Sequence, residues 1–166
     1  MTNGLYTGRF QPFHLGHMSA IRQALLKVDK LYIAIGSAQY DYEEKNPFTA
    51  EERQNMITLA LEEVGLADRC EVFRVPDIHD NEKWTTHVRS IVPPFEKVFV
   101  GNEGLVKELF EKEGLTHVID VAHEIPVSAT KIRKAIRENA EWKNMLLPKV
   151  ADYLESIDGP GRIMKI

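Results

Sequence analysis

Short apolar runs alternate along the chain with longer stretches in which apolar residues return every three or four positions, which predicts strands and helices in turn. Leu5-Tyr6-Thr7 reads as a buried strand, and Met18, Ile21, Leu25 and Val28 follow at helical spacing in a helix expected to begin near Leu15. Leu31-Tyr32-Ile33-Ala34-Ile35 is a continuous apolar run of strand length, as expected for a parallel strand covered on both faces. Ser37 to Asn46 is too hydrophilic for the core. Thr49-Ala50-Glu51-Glu52 is a capping-box pattern opening a helix that carries Met56, Ile57, Leu61 and Val64. Val72-Phe73-Arg74-Val75, Val98-Phe99-Val100 and His117-Val118-Ile119 predict three more strands, with a helix bearing Leu105, Leu109 and Phe110 between the last two. Ser128 to Asn139 and Pro148 to Ile157 predict further helices. No repeat, low-complexity tract or linker interrupts the pattern, so residues 1–166 read as one domain. The expected fold class is α/β, a Rossmann-like doubly wound parallel sheet of about five strands with helices on both faces. Its ligand crevice belongs at the carboxyl ends of the strands, where strand order reverses.

The segment Gly8-Arg9-Phe10-Gln11-Pro12-Phe13-His14-Leu15-Gly16-His17 lies at the first strand-to-helix junction, where such a crevice is placed. A helix beginning near Leu15 turns unpaired N–H groups and its positive dipole end toward the mouth of the sheet, where an anion can be held. Gly8 and Gly16 fit this picture because a glycine lets a phosphate approach the main chain. His14 and His17 stand three apart, so within one helical turn they share a face and can touch one phosphate. His-x-x-His is also a metal-pair spacing, but no acidic or sulfur ligand lies nearby to complete a tetrahedral site. Neither a P-loop nor a Gly-x-Gly-x-x-Gly turn occurs, so this is another kind of phosphate site.

Composition adds exclusions. A formal net charge of -4 and a pI near 5.9 give no support for a nucleic-acid surface. A single cysteine, Cys70, excludes an intrachain disulfide framework and reads as a small apolar side chain at a strand entrance. There is no signal-peptide pattern and no apolar run long enough to span a membrane, so the chain is expected to be soluble and cytoplasmic. Late in the chain, Ser128 is a good N-cap, Thr130 sits in the first turn, and Arg133 and Lys134 can reach an anion at that helix start. Taken alone, this segment reads first as an ordinary capped helix with a solvated basic face, and the first motif shifts the balance toward an anion site.

The first segment resembles the Gly-x-Phe-x-Pro-x-His-x-Gly-His signature of the nucleotidyltransferase superfamily related to class I aminoacyl-tRNA synthetases, with every fixed position present. Ser128, Thr130 and Arg133 are similar to its second signature, Ser-x-Thr-x-x-Arg. Over nearly the whole chain the resemblance is to the archaeal-type nicotinamide mononucleotide adenylyltransferases. Its landmarks are Ile35-Gly36-Ser37-Ala38-Gln39, Pro47-Phe48-Thr49-Ala50-Glu51-Glu52-Arg53, Asp77-Ile78-His79-Asp80-Asn81-Glu82-Lys83-Trp84, Pro93-Pro94-Phe95 and Gly101-Asn102. The resemblance implies transfer of AMP from ATP to nicotinamide mononucleotide, giving NAD and pyrophosphate. It implies catalysis by His14, His17, Arg9 and Arg133, and an ATP site formed by these with Gly8, Phe10, Gly16, Gly101, Asn102, Ser128 and Thr130. An acceptor site would comprise Gly36, Lys45, Asp77, Asn81 and Trp84, the indole stacking on the cationic pyridinium. Mg²⁺ would arrive on the ATP phosphates, without a protein metal site. The partners would be small molecules, with no nucleic acid or membrane, and the assembly a homo-oligomer, a hexamer by resemblance.

Two departures stand out. Lys45 occupies a place where family members commonly carry arginine, keeping the charge but losing the fork. Pro126-Val127 precedes Ser128 where Arg-Tyr is frequent, so one phosphate-binding guanidinium is absent; Lys131, Lys134 and Arg137 are candidate substitutes. A nucleotidyltransferase for another small phosphate, such as phosphopantetheine, flavin mononucleotide or an alcohol phosphate, is the alternative enzyme. A non-catalytic nucleotide-binding module is the alternative class.

Overall fold

A computed structural model of the protein describes residues 1–101, 104–114, 117–121 and 124–166. The strands β1 (Asn3–Gly8), β2 (Lys30–Ile35), β3 (Cys70–Arg74), β4 (Lys97–Val100) and β5 (Val118–Asp120) form one parallel sheet in the order β3-β2-β1-β4-β5. All five fall where the apolar runs predict them. The helices are α1 (Leu15–Leu25), α2 (Ala50–Glu63), α3 (Trp84–Ile91), α4 (Gly104–Lys112), α5 (Ala129–Arg137), α6 (Pro148–Ser156) and α7 (Gly159–Lys165).

The continuous apolar character of β2 follows from burial on both faces. Leu31, Ile33 and Ile35 join one apolar cluster with Met18, Ile21, Met56, Ile57, Ile132 and Val150, contributed by α1, α2, α5 and α6. Tyr32 and Ala34 point the other way, into a second cluster with Leu5, Val98, Val88 and Phe110, which brings in α3 and α4. The sheet is thus covered on both sides. Order reverses beside β1, which pairs with β2 on one edge and β4 on the other. Loops leaving the carboxyl ends of β1 and β4 therefore diverge and open a crevice between them. Cys70 begins β3, and burial raises its thiol pKa to about 11, so it stays protonated and inert at neutral pH. Among the described residues, no helix is long and apolar enough to cross a membrane.

Two helices lie where the apolar periodicity predicts none. Trp84 is the first residue of α3. Its N-cap position is Lys83, which makes no side-chain cap, so the usual start signal is missing. The seven-residue α7 opens Gly159-Pro160-Gly161, a composition that signals turn rather than helix.

Candidate active site

The loop after β1 folds back on itself around the two histidines. His14 is the N-cap of α1, and its Nδ1 accepts from the Gly16 and His17 N–H groups at 3.0 and 3.4 Å. His17 Nδ1 accepts in turn from the His14 N–H at 3.1 Å, completing a capping box built from two imidazoles. The rings stack at 3.7 Å, and His17 also packs against Phe13 and Phe10. Since both Nδ1 atoms accept, each neutral ring carries its proton on Nε2 and offers that N–H as a donor. Burial lowers the pKa of His14 to about 4. Burial and then the neighbouring His14 hold His17 well below its usual value. At neutral pH both are uncharged donors.

The glycines serve a purpose beyond phosphate access. A Cβ on Gly8 would lie 2.8 Å from the Phe10 ring, and one on Gly16 would lie 2.9 Å from the His14 ring. Their missing side chains thus make room for the motif's own rings. Phe10 reaches over Gly8 from a left-handed backbone at φ 56°.

These residues line a cavity of about 300 Å³ at the carboxyl ends of β1 and β4. Gly8, Arg9, Phe10, His14, Gly16 and His17 come from the first motif, Ser128, Thr130 and Arg133 from the second, and Gly101 from the end of β4. Asn102 lies outside the described residues. Arg133 is buried, and its Nη1 donates to the Gln11 carbonyl at 2.8 Å, which joins the two motifs directly. Gln11 itself exchanges two hydrogen bonds with the Phe48 main chain, at 3.1 and 2.9 Å. Ser128 Oγ caps α5 by accepting from the Lys131 N–H. Burial, then Arg137 and Arg9, lower the pKa of Arg133 from its ordinary value, the electrostatic mark of a site that gathers positive charge.

Lys45, grouped above with the acceptor residues, lines this cavity and not the neighbouring one. It projects from a tight turn closed by reciprocal Glu43–Asn46 main-chain hydrogen bonds. Of the three proposed substitutes for the missing guanidinium, none lines the cavity. Lys131 bends back to the Pro126 carbonyl, Lys134 pairs with Glu138, and Arg137 braces the Glu44 carbonyl at 3.3 Å.

A second cavity of about 520 Å³ shares Thr7, Gly8 and Arg9 with the first and contains Gly36, Asp77, Asn81 and Trp84. The structure therefore brings the remaining acceptor candidates together. The loops after β2 and β3 are joined here. Ser37 Oγ donates to Asp77 Oδ2 at 2.8 Å, Gln39 and the Asp77 main chain exchange two hydrogen bonds, and Tyr40 Oη meets His79 Nε2 at 2.7 Å. Trp84 is half-buried, its ring edge-on to Phe110 at 5.8 Å, so one part of the indole belongs to the core while the residue lines the cavity. Among the described residues, no group of three or more His, Cys, Asp or Glu could hold a metal ion.

The acid response of the motif follows from its protonation. An unfolded histidine takes up its proton near pH 6.5, whereas folded His14 resists down to about 4. Between those values the unfolded state binds the extra proton. The stabilisation is fully present above 6.5 and is lost as pH falls through this window, by on the order of 3 kcal/mol. His14→Asn keeps an N-cap acceptor but cannot titrate. Thermal melts of this variant should show a flatter fall of Tm from pH 6.5 to 4.5 than the wild type. An unchanged slope would refute the assignment.

The sequence profile of the cytidylyltransferase-like family matches residues 5–135. The chain is 42% identical to a nicotinamide-nucleotide adenylyltransferase of Thermococcus onnurineus, over 96% of this chain and 86% of that one. It is 41% identical to one from Pyrococcus furiosus over 98% and 88%. Among solved structures, a bifunctional NMN adenylyltransferase/ADP ribose pyrophosphatase from Francisella tularensis complexed with AMP and a manganese ion shares the fold, with TM-score 0.78 and 23% identity. That alignment covers 99% of this chain, which spans 52% of the bifunctional protein. A putative nicotinate-nucleotide adenylyltransferase from Vibrio parahaemolyticus has the fold too, with TM-score 0.70 and 17% identity over 100% and 98% of the two chains. With the two-motif cavity and near-full-length identity of about 40% in agreement, the chain belongs to the nicotinamide-nucleotide adenylyltransferase family.

Proposed function

We propose that the protein transfers AMP from ATP to nicotinamide mononucleotide, forming NAD and pyrophosphate. One observation supports this above the others: the histidine-and-arginine cavity and the Trp84 cavity share the wall Thr7-Gly8-Arg9. ATP occupies the first, with its triphosphate against Arg9, Lys45, Arg133 and the N-termini of α1 and α5. The acceptor occupies the second, with its ring beside Trp84 and its phosphate across the shared wall. An oxygen of that phosphate attacks the α-phosphorus, the bond to the bridging oxygen toward the β-phosphate breaks, and pyrophosphate leaves with the electron pair. The Nε2–H groups of His14 and His17 donate to the phosphate oxygens as charge shifts between them, while the cations hold the triphosphate in line. As neutral donors in a fixed capping box, the imidazoles need no reorganisation during transfer.

Among the described residues, the lining of the first cavity offers cations and N–H donors and no carboxylate, which suits a divalent ion carried by the phosphates. Mg²⁺ is the expected ion, and when bound it neutralises phosphate charge. The same reading takes a homo-oligomer, a hexamer as the family resemblance implies.

Trp84→Ala tests the assignment of the second cavity. Loss of stacking and cation–π contact should weaken nicotinamide mononucleotide binding by about 1 to 2 kcal/mol, roughly fivefold to thirtyfold, with little change for ATP. Calorimetric titration of each substrate measures both. Equal losses would make Trp84 a purely structural residue and remove the acceptor assignment.

A further inference from the structure

Arg53 interrupts the apolar stripe of α2, where Met56, Ile57, Ala60 and Leu61 are its buried neighbours, and it is itself fully buried. A charge in such a place requires full compensation. No ion pair among the described residues includes Arg53. Asp41 and Glu52 favour its charge from beyond ion-pair distance, and its hydrogen bonds go to main-chain carbonyls. Nε donates to the Thr49 carbonyl at 3.2 Å, Nη1 to those of Arg9 and Gly36 at 3.0 and 2.9 Å, and Nη2 to those of Ser37 and Tyr40 at 3.2 and 3.3 Å. A guanidinium has five N–H donors in a rigid fork, and here the five carbonyls match them. Burial lowers the Arg53 pKa only to about 10, so it is a cation at neutral pH.

Three of the five carbonyls it gathers, those of Arg9, Gly36 and Ser37, belong to residues that line the site. Arg9 lies in the wall common to both cavities, and Gly36 and Ser37 line the second. Gly36 N–H also bonds the Gly8 carbonyl at 2.8 Å, so the ends of β1 and β2 are paired next to the Arg9 and Gly36 carbonyls that the guanidinium holds. Ser37 is held in a left-handed backbone at φ 48°, a conformation that a β-carbon disfavours and that its neighbours must impose. We propose that Arg53 is a positioning residue for the transfer, clamping the shared wall and the acceptor loop so that the two reacting phosphates meet at one fixed separation. This inference rests on the adenylyl-transfer reading above.

Arg53→Lys keeps the positive charge but has three donors for five carbonyls. It should fold with a lowered Tm. At a temperature well below that Tm, kcat should fall between roughly tenfold and a hundredfold, as misplacement of reacting groups costs. KM for the acceptor should rise while ATP affinity changes little. Arg69→Lys is the matched control. Arg69 also donates only to main-chain carbonyls, those of Leu25, Val28 and Asp29, at the opposite end of the sheet. It should lose Tm and keep the wild-type kcat. Equal kcat in wild type, Arg53→Lys and Arg69→Lys would overturn the proposal. Failure of both Arg53→Lys and Arg53→Gln to fold would overturn it too, since the cation would then carry the fold rather than the alignment. An inactive wild type would instead count against the adenylyl-transfer reading itself.

Discussion

Replacing His17 by alanine is expected to lower turnover at least about a hundredfold, the scale on which loss of one preorganised donor to a reacting centre acts. His17 also has a structural duty, because its Nδ1 accepts the His14 N–H and closes the capping box. Loss of that half of the cap should cost about 1 kcal/mol of stability, small against the catalytic effect. His17→Gln separates the two duties. Glutamine at the third helical position can reach back to the same N–H but supplies no imidazole stacked on His14. Its melting temperature should return toward wild type while its turnover stays low. Recovery of both would make His17 a helix-start residue only.

The second large effect is expected at Arg133. Its side chain is buried between the motifs, lines the first cavity and holds the Gln11 carbonyl. Arg133→Ala removes a charge facing the triphosphate and leaves that carbonyl without its guanidinium partner. Together these should lower kcat/KM for ATP about a hundredfold, near 3 kcal/mol. Arg137→Ala should act weakly, because Arg137 does not line the cavity and its Nη2 donates to the Glu44 carbonyl. Steady-state kinetics and ATP calorimetry on both variants decide the order. A larger loss in Arg137→Ala would mean that Arg137 supplies the guanidinium missing at Pro126.

What the sequence discloses and what it conceals have physical reasons here. The strands are legible because burial on both faces leaves no polar residue inside β2 between Leu31 and Ile35. The first motif is legible because its functional atoms lie within ten consecutive residues. The acceptor cavity is harder, being assembled from the ends of β1, β2 and β3 and from α3 and α4. Lys45 shows the difficulty: its place in the chain gives no indication of which side of the Thr7–Arg9 wall it faces. Arg53 is the most concealed. A lone charge at a helix position ordinarily signals solvent, and main-chain carbonyls, its partners, leave no trace in side-chain identity. Its one visible sign is its place on the buried stripe three and four residues before Met56 and Ile57.

A single assay identifies the acceptor. ATP and Mg²⁺ are incubated with the wild-type protein and, separately, nicotinamide mononucleotide, phosphopantetheine, flavin mononucleotide and an alcohol phosphate, and released pyrophosphate is measured beside the dinucleotide product. Pyrophosphate and NAD should form in equal amounts with nicotinamide mononucleotide, at a kcat/KM well above that for any other acceptor. Preference for another acceptor, or ATP binding without pyrophosphate release for any of them, would contradict the adenylyl-transfer reading.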